Sequence, residues 1–317
     1  MINVYIVSGF LGSGKTTFIQ HLLENKKFSK VMLLENEFGE VGVDGAFFDK
    51  SLNVKEINNG CICCSLQGDF ADALEEIEDM GVTDLIIEPS GVGKLSDILD
   101  VVKKDPDYAI VSHICIVDVK TAKKYHLNFK EYFDNQVKYA NAIVFSHLDV
   151  ADVNSVEEVK GIISEINSKA LFNSKPIKEY SIDELLDLIV SNNDIINEEL
   201  EEHEHHHDHD EHEHHHHHHD GEHHHHHDDD EDEIFKNIVI SSTYTFTKEE
   251  LEKILSDVDS DIIRVKGYVN SEMGSFFFNY VLNEYTIIEK ERKEPCIVCI
   301  IGTSINKDKF KDIFHGA

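Results

Sequence analysis

Eight residues, GFLGSGKT (9–16), constrain this chain more than any other feature. They match G-x-x-x-x-G-K-[ST] without a mismatch, directly after the apolar run NVYIVS (3–8) and at the opening of a helical stretch. That context requires a strand, a tight glycine loop and a helix in succession. The loop would wrap backbone N–H groups of Gly9, Gly12, Ser13, Gly14, Thr16 and Thr17 around phosphate oxygens, with the helix dipole adding to the attraction. Lys15 would reach the β- and γ-phosphates, and the Thr16 hydroxyl would take a Mg²⁺ ion. A nucleoside triphosphate is therefore the expected ligand.

The rest of the first 190 residues agrees with a P-loop α/β fold built on a mostly parallel sheet. Short Val/Ile/Leu runs, VMLLEN (31–36), DLIIEP (84–89), HICIVDV (113–119) and AIVFSHL (142–148), read as strands buried on both faces. Helices are predicted at 15–26, 66–79, 130–140, 153–166 and 182–190. Glu88, at the end of its strand, stands where an acid could orient Mg²⁺ or water. Gly91 in EPSG could offer its N–H to the γ-phosphate. The loop ENEFGEVGVDG (35–45) adds Glu35, Glu37, Glu40 and Asp44; a solvated acidic turn is the alternative, and Asp44 joins Lys15 and Glu88 as a catalytic candidate.

From 191 to 235 the pattern changes. Seventeen of the 22 histidines and 17 acids fall between 198 and 233, with no lysine or arginine, so of the net charge of −33 the remainder carries −16. Such a segment cannot bury enough apolar surface to offset its ordering entropy, and a disordered linker is expected. The six consecutive histidines are internal and interleaved with acids, unlike an appended tag. His205, His206, His207, His214, His215, His216, His217, His218, His219, His223, His224, His225, His226 and His227 are candidate ligands for divalent metal, against a plain solvated spacer. Beyond it, residues 236–317 read as a small α+β domain. NIVISSTYTF, IIRVKGYV, FFFNYVLNEYTII and CIVCIIG are its predicted strands, with a helix opened by Thr247 and a closing helix at NKDKFKDIFHG.

The acidic charge argues against nucleic acid as a partner, and no apolar run approaches membrane-spanning length. The start MINVYIVSGFLG carries no basic n-region, so a cytoplasmic location is expected. In that compartment six cysteines point to metal or redox chemistry rather than disulfides. NNGCICCSLQGD (58–69) places Cys61, Cys63 and Cys64 within four positions. All three could bend toward one ion, or two could act with outside ligands, for which Glu37 and Glu40 are candidates; buried small side chains or a redox pair are the alternatives. Cys115, Cys296 and Cys299 read as core thiols.

Taken together, GFLGSGKTT, NEFGEVGVDG, NGCICC and EPSG stand in the order and spacing of the CobW-like P-loop GTPases, relatives of the nickel-insertion GTPases of urease and hydrogenase, and the chain resembles that family. RVKGYV resembles the small domain that follows the GTPase domain in this family. The resemblance implies a GTP-hydrolysing metallochaperone that passes Zn²⁺, or Co²⁺ or Ni²⁺, to a client metalloprotein, with a homodimer left open. One departure stands out. Where the family places Asn-Lys-x-Asp to read guanine, this chain has Ser146-His147-Leu148-Asp149. Asp149 could still accept from the guanine N1–H and amine, and His147 could stack on the base. No arginine finger in cis is evident, so intrinsic turnover is expected to be slow. A metal-storing protein with a regulatory nucleotide site, or a cobalt or nickel insertion factor, are the alternative readings.

Overall fold

The computed structural model describes residues 1–25, 28–36, 53–57, 66–91, 95–192, 234–291 and 295–316. Glu37, Glu40, Asp44, Cys61, Cys63, Cys64 and the histidine tract lie outside them.

Among the described residues the first half forms a seven-stranded parallel sheet in the order β3-β2-β4-β1-β5-β6-β7. Its strands are β1 (Ile2–Ser8), β2 (Val31–Asn36), β3 (Asn53–Ile57), β4 (Asp84–Glu88), β5 (Tyr108–Asp118), β6 (Ala142–Ser146) and β7 (Leu171–Phe172). Helices α1 (Lys15–Asn25), α2 (Leu66–Asp79), α3 (Leu95–Lys104), α4 (Ala122–Asn128), α5 (Lys130–Lys138), α6 (Val153–Ile166) and α7 (Ile182–Val190) connect them. Alternation along the strands divides the core. Val4 and Ile6 pack with Leu85 and Ile87 against α2 and α3, while Tyr5 and Val7 pack with Ile86 and Ile114 against α1 and α7. Helix α7 starts in a full capping box between Ser181 and Glu184.

The second half forms an antiparallel sheet in the order β11-β10-β9-β12-β8, from β8 (Lys236–Ser241), β9 (Ile262–Asn270), β10 (Ser275–Val281), β11 (Glu284–Lys290) and β12 (Ile297–Gly302). Its helices α8 (Lys248–Ser256) and α9 (Lys307–Ile313) cover one face through Leu251, Leu255, Phe310 and the following Phe314. Thr247 opens α8 with a capping box to Glu250, as the sequence suggests.

Here the structure corrects a strand prediction. FFFNYVLNEYTII is two strands, not one. Val281 pairs with Glu284 across a two-residue turn in which Leu282 and Asn283 both have positive φ, 47° and 75°. That is the mirror-image turn whose twist suits a tight hairpin. The only cue in the sequence is Asn283, whose Oδ1 accepts from the Tyr280 hydroxyl at 3.0 Å. β5 also begins earlier than predicted, and β3, α3 and α4 are elements the sequence reading passed over.

The two sheets share a core. Phe235 meets Phe129 and Tyr132 with ring centroids 5.0 and 4.9 Å apart. Ile263, Val281, Leu282 and Ile301 join the cluster that contains Phe10, Leu11, Tyr125 and Phe133. The C-terminal sheet is thereby seated on the P-loop side of the parallel sheet.

Candidate functional site

β1 lies between β4 and β5, and residues 9–16 emerge from its carboxyl end, the position where open α/β sheets bind ligands. Gly9, Gly12 and Gly14 have φ of 138°, 74° and 100°, which L side chains rarely adopt. At Gly9 a Cβ would also come within 2.3 Å of the Ile116 carbonyl oxygen. At Gly91 a Cβ would sit 2.7 Å from the Leu11 nitrogen, so only glycine lets the β4 loop close on the P-loop.

A cavity of about 280 Å³ opens at this place. Gly12, Gly14, Lys15, Thr16, Thr17, Glu88 and Gly91, all singled out from the sequence, line it. The Lys15 ammonium donates to the Gly9 and Phe10 carbonyls at 3.0 and 3.4 Å and lies 3.9 Å from Glu88 Oε1. The Thr16 hydroxyl donates to the same Glu88 oxygen at 3.4 Å. Ser13 is different: its side chain is buried beneath the loop, beside a small internal cavity with Cys115 and Asp118, so its nucleotide contact would be through the backbone.

Two groups of lining residues were not singled out as site residues. Glu35 is the register partner of Glu88 on the neighbouring strand and is equally buried, and its run of acids was the signal. Arg264, Lys266, Phe277 and Asn279 come from β9 and β10 of the C-terminal sheet, a juxtaposition no local pattern could reveal. The oxygen-donor set of Thr16, Glu88 and Glu35 suits a hard cation such as Mg²⁺, which prefers carboxylate and hydroxyl oxygens.

The SHLD segment (146–149) does not line this cavity and starts beside the P-loop. Asp118 Oδ1 lies 3.2 Å from His147 Nδ1 and also accepts from the Lys120 N–H at 3.0 Å. His147 has φ 59°, and its carbonyl accepts from the Val150 and Ala151 N–H groups, which turns the chain so that Asp149 is exposed. A Cβ on Gly14 would lie 3.8 Å from Ser146 Cβ, so this loop begins directly beside the P-loop.

The remaining candidates fall into the core. Burial pushes the Cys115 thiol up to about 12, with Ser8 and Lys15 opposing the shift, as suits a thiol packed in the core. Cys296 packs with the C-terminal helices, whereas Cys299 packs toward the P-loop domain, so the C-x-x-C pair is split between two faces. His113 is fully buried and held near 4 by desolvation, with Nε2 2.8 Å from Ser8 Oγ.

Residues 3–173 match the CobW/HypB/UreG nucleotide-binding domain, and residues 235–317 match the cobalamin synthesis protein CobW C-terminal domain. The chain belongs to the CobW/HypB/UreG family. Among known relatives of this family member, it is 32% identical over 180 residues to the zinc chaperone YjiA of Escherichia coli strain K12, covering 53% of this chain and 56% of the relative. It is 37% identical over 155 residues to the zinc chaperone YeiR of the same organism, 47% of each chain. The chain thus spans about half the length of the relatives it matches. The crystal structure of Zn(II)-bound YjiA GTPase from E. coli aligns over 99% of this chain and 98% of that one, with 19% identity and a TM-score of 0.42. Among the described residues, no helix is long and apolar enough to cross a membrane.

Proposed function

We propose that this protein is a GTP-hydrolysing metallochaperone that carries Zn²⁺ to a client metalloprotein. The observation that carries the reading is the cavity in which the P-loop, Lys15, Thr16 and the paired acids Glu35 and Glu88 converge. Family membership and the zinc-chaperone names of its relatives support the cargo.

In the proposed reaction, water attacks the γ-phosphorus. A new O–P bond forms as the bond to the β,γ-bridging oxygen breaks, the electron pair stays on GDP, and the water proton ends on inorganic phosphate. Glu88 and Glu35 hold the acidic edge of the cavity, Lys15 offsets charge on the β- and γ-phosphates, and Gly91 offers an N–H to the γ-phosphate. Bound Mg²⁺ would supply charge neutralisation at the phosphate oxygens, held by Thr16 and the two acids. Asp149 would accept from guanine, which selects GTP over ATP.

Zinc is the cargo in this reading, held at Cys61, Cys63 and Cys64 with Glu37 or Glu40 completing the site. The histidines of a linker between a GTPase domain (1–190) and a C-terminal domain (236–317) would collect divalent metal. Co²⁺ and Ni²⁺ remain alternative cargoes. The density of histidine favours a second reading, metal storage with a regulatory nucleotide site.

Titrating Co²⁺ into the full chain and into its Cys61→Ala, Cys63→Ala, Cys64→Ala variant separates the two, because thiolate-to-metal absorbance is specific to sulfur. A thiolate band lost in the variant, with an affinity that differs between GTP and GDP, is expected of the chaperone. A band insensitive to nucleotide, or none, leaves storage.

A further inference from the structure

The cavity over the P-loop has a second wall that belongs to the C-terminal sheet. Along β9, Val265 and Val269 face the helices α8 and α9, so Arg264 and Lys266 project from the opposite face. Their register partners on β10 are Val281 and Asn279. Arg264 Nε donates to Asn279 Oδ1 at 3.3 Å, which fixes the guanidinium plane at the cavity. Lys266 is 4% exposed, an uncommon setting for an ammonium group. Val281 meets the P-loop itself, since a Cβ on Gly12 would lie 3.2 Å from its Cγ2. The hydroxyl of Tyr125, which donates to the Leu11 carbonyl, feels Arg264 as a nearby positive charge against a larger effect of burial.

The cavity therefore presents three cations, Lys15, Arg264 and Lys266, around its acidic edge. Lys15, Thr16, Glu88 and Gly91 mark it as the phosphate end, whereas Ser146, His147 and Asp149 do not line it. We propose that Arg264 and Lys266 are ligands of the terminal phosphate of the bound nucleoside triphosphate, supplied in cis by the C-terminal domain. This rests on the triphosphate reading of the cavity. An arginine placed there offsets the charge that develops during hydrolysis, the role otherwise filled by a partner protein. It also ties the two domains together through an anion that leaves when hydrolysis is complete. Loss of that anion removes a bridge across the interface, so the seating of the C-terminal sheet depends on nucleotide state.

The test compares wild type, Arg264→Ala, Arg264→Lys and Lys266→Met for affinity to GDP and to a non-hydrolysable GTP analogue, and for single-turnover GTP hydrolysis, with circular dichroism as a folding check. Arg264→Ala is expected to weaken the analogue by about tenfold or more, to change GDP affinity less than about threefold, and to slow hydrolysis by about tenfold or more. Arg264→Lys should recover binding better than rate, because it lacks the planar fork. Should Lys266→Met fail to fold, the two variants at the less buried Arg264 still decide the matter. An unchanged preference for the triphosphate and an unchanged rate in folded Arg264→Ala overturn the proposal while leaving the GTPase reading intact. A wild type that binds neither nucleotide overturns both.

Discussion

Glu35 and Glu88 are register partners on adjacent parallel strands, both are buried, and both line the cavity that holds the Thr16 hydroxyl. A divalent cation bound at this edge would be held by the oxygens of both carboxylates. Glu88→Gln should lower GTP turnover by roughly 100-fold, the usual effect of removing one preorganised electrostatic group. Glu35→Gln should weaken the Mg²⁺ dependence of turnover more than nucleotide binding without metal. Mg²⁺ titrations of the rate check both, and equal Mg²⁺ dependence in wild type and Glu35→Gln would remove Glu35 from the site.

Lys15 sits at the mouth of the loop, bonded to the Gly9 and Phe10 carbonyls. A charge-assisted hydrogen bond is worth about 1.5–3 kcal/mol. Lys15→Ala should therefore weaken GTP by roughly 10- to 100-fold, read by equilibrium binding of a fluorescent analogue. Retention of wild-type affinity would show that the cavity does not hold triphosphate.

Asp149 is exposed on a loop that begins beside Gly14. Two hydrogen bonds from guanine to this carboxylate set the expected selectivity. Asp149→Ala should reduce the preference for GTP over ATP by roughly 100-fold or more in competition binding. His147→Ala, which removes only a stacking surface, should weaken both nucleotides by a similar, smaller factor. If the preference for GTP survives Asp149→Ala, base selection lies elsewhere.

His113 anchors Ser8, the residue that leads into the P-loop. Its folded value of about 4 lies below the ordinary 6.5, because burial penalises the charged ring. Between those values the unfolded chain binds a proton that the native one does not, so stability falls as pH drops from about 6.5 to about 4. The full shift corresponds to about 3 kcal/mol. Urea unfolding of wild type and His113→Gln at pH 7, 5.5 and 4 should show the wild type losing more stability on acidification. Parallel pH dependences would contradict the assignment.

Much of the fold was legible because its signals are local. A glycine loop between a strand and a helix, continuous Val/Ile/Leu runs, and the cap at Thr247 each act within a few residues, and the structure places α2, α6 and α7 on the predicted spans. The hairpin at Leu282–Asn283 was missed because two non-glycine residues at positive φ leave almost no compositional trace. Glu35 was visible as one acid among several, and only its pairing with Glu88 across β2 and β4 separates it from its neighbours.

By itself the sequence determined that a strand, a phosphate loop and a helix occur in succession, that Lys15, Thr16 and Glu88 serve one site, and that a second domain follows. The loop follows from spacing, since backbone geometry over a few residues fixes which groups face it. Glu88, 72 residues from Thr16, was marked by its place at the end of its own apolar strand, and the second domain by the change of pattern after the acidic tract. Only the tertiary structure decided that Arg264, Lys266 and Glu35 share that cavity. Residues so far apart in the chain meet only because the apolar faces of two sheets bury each other, and no local pattern encodes where that burial brings their polar neighbours.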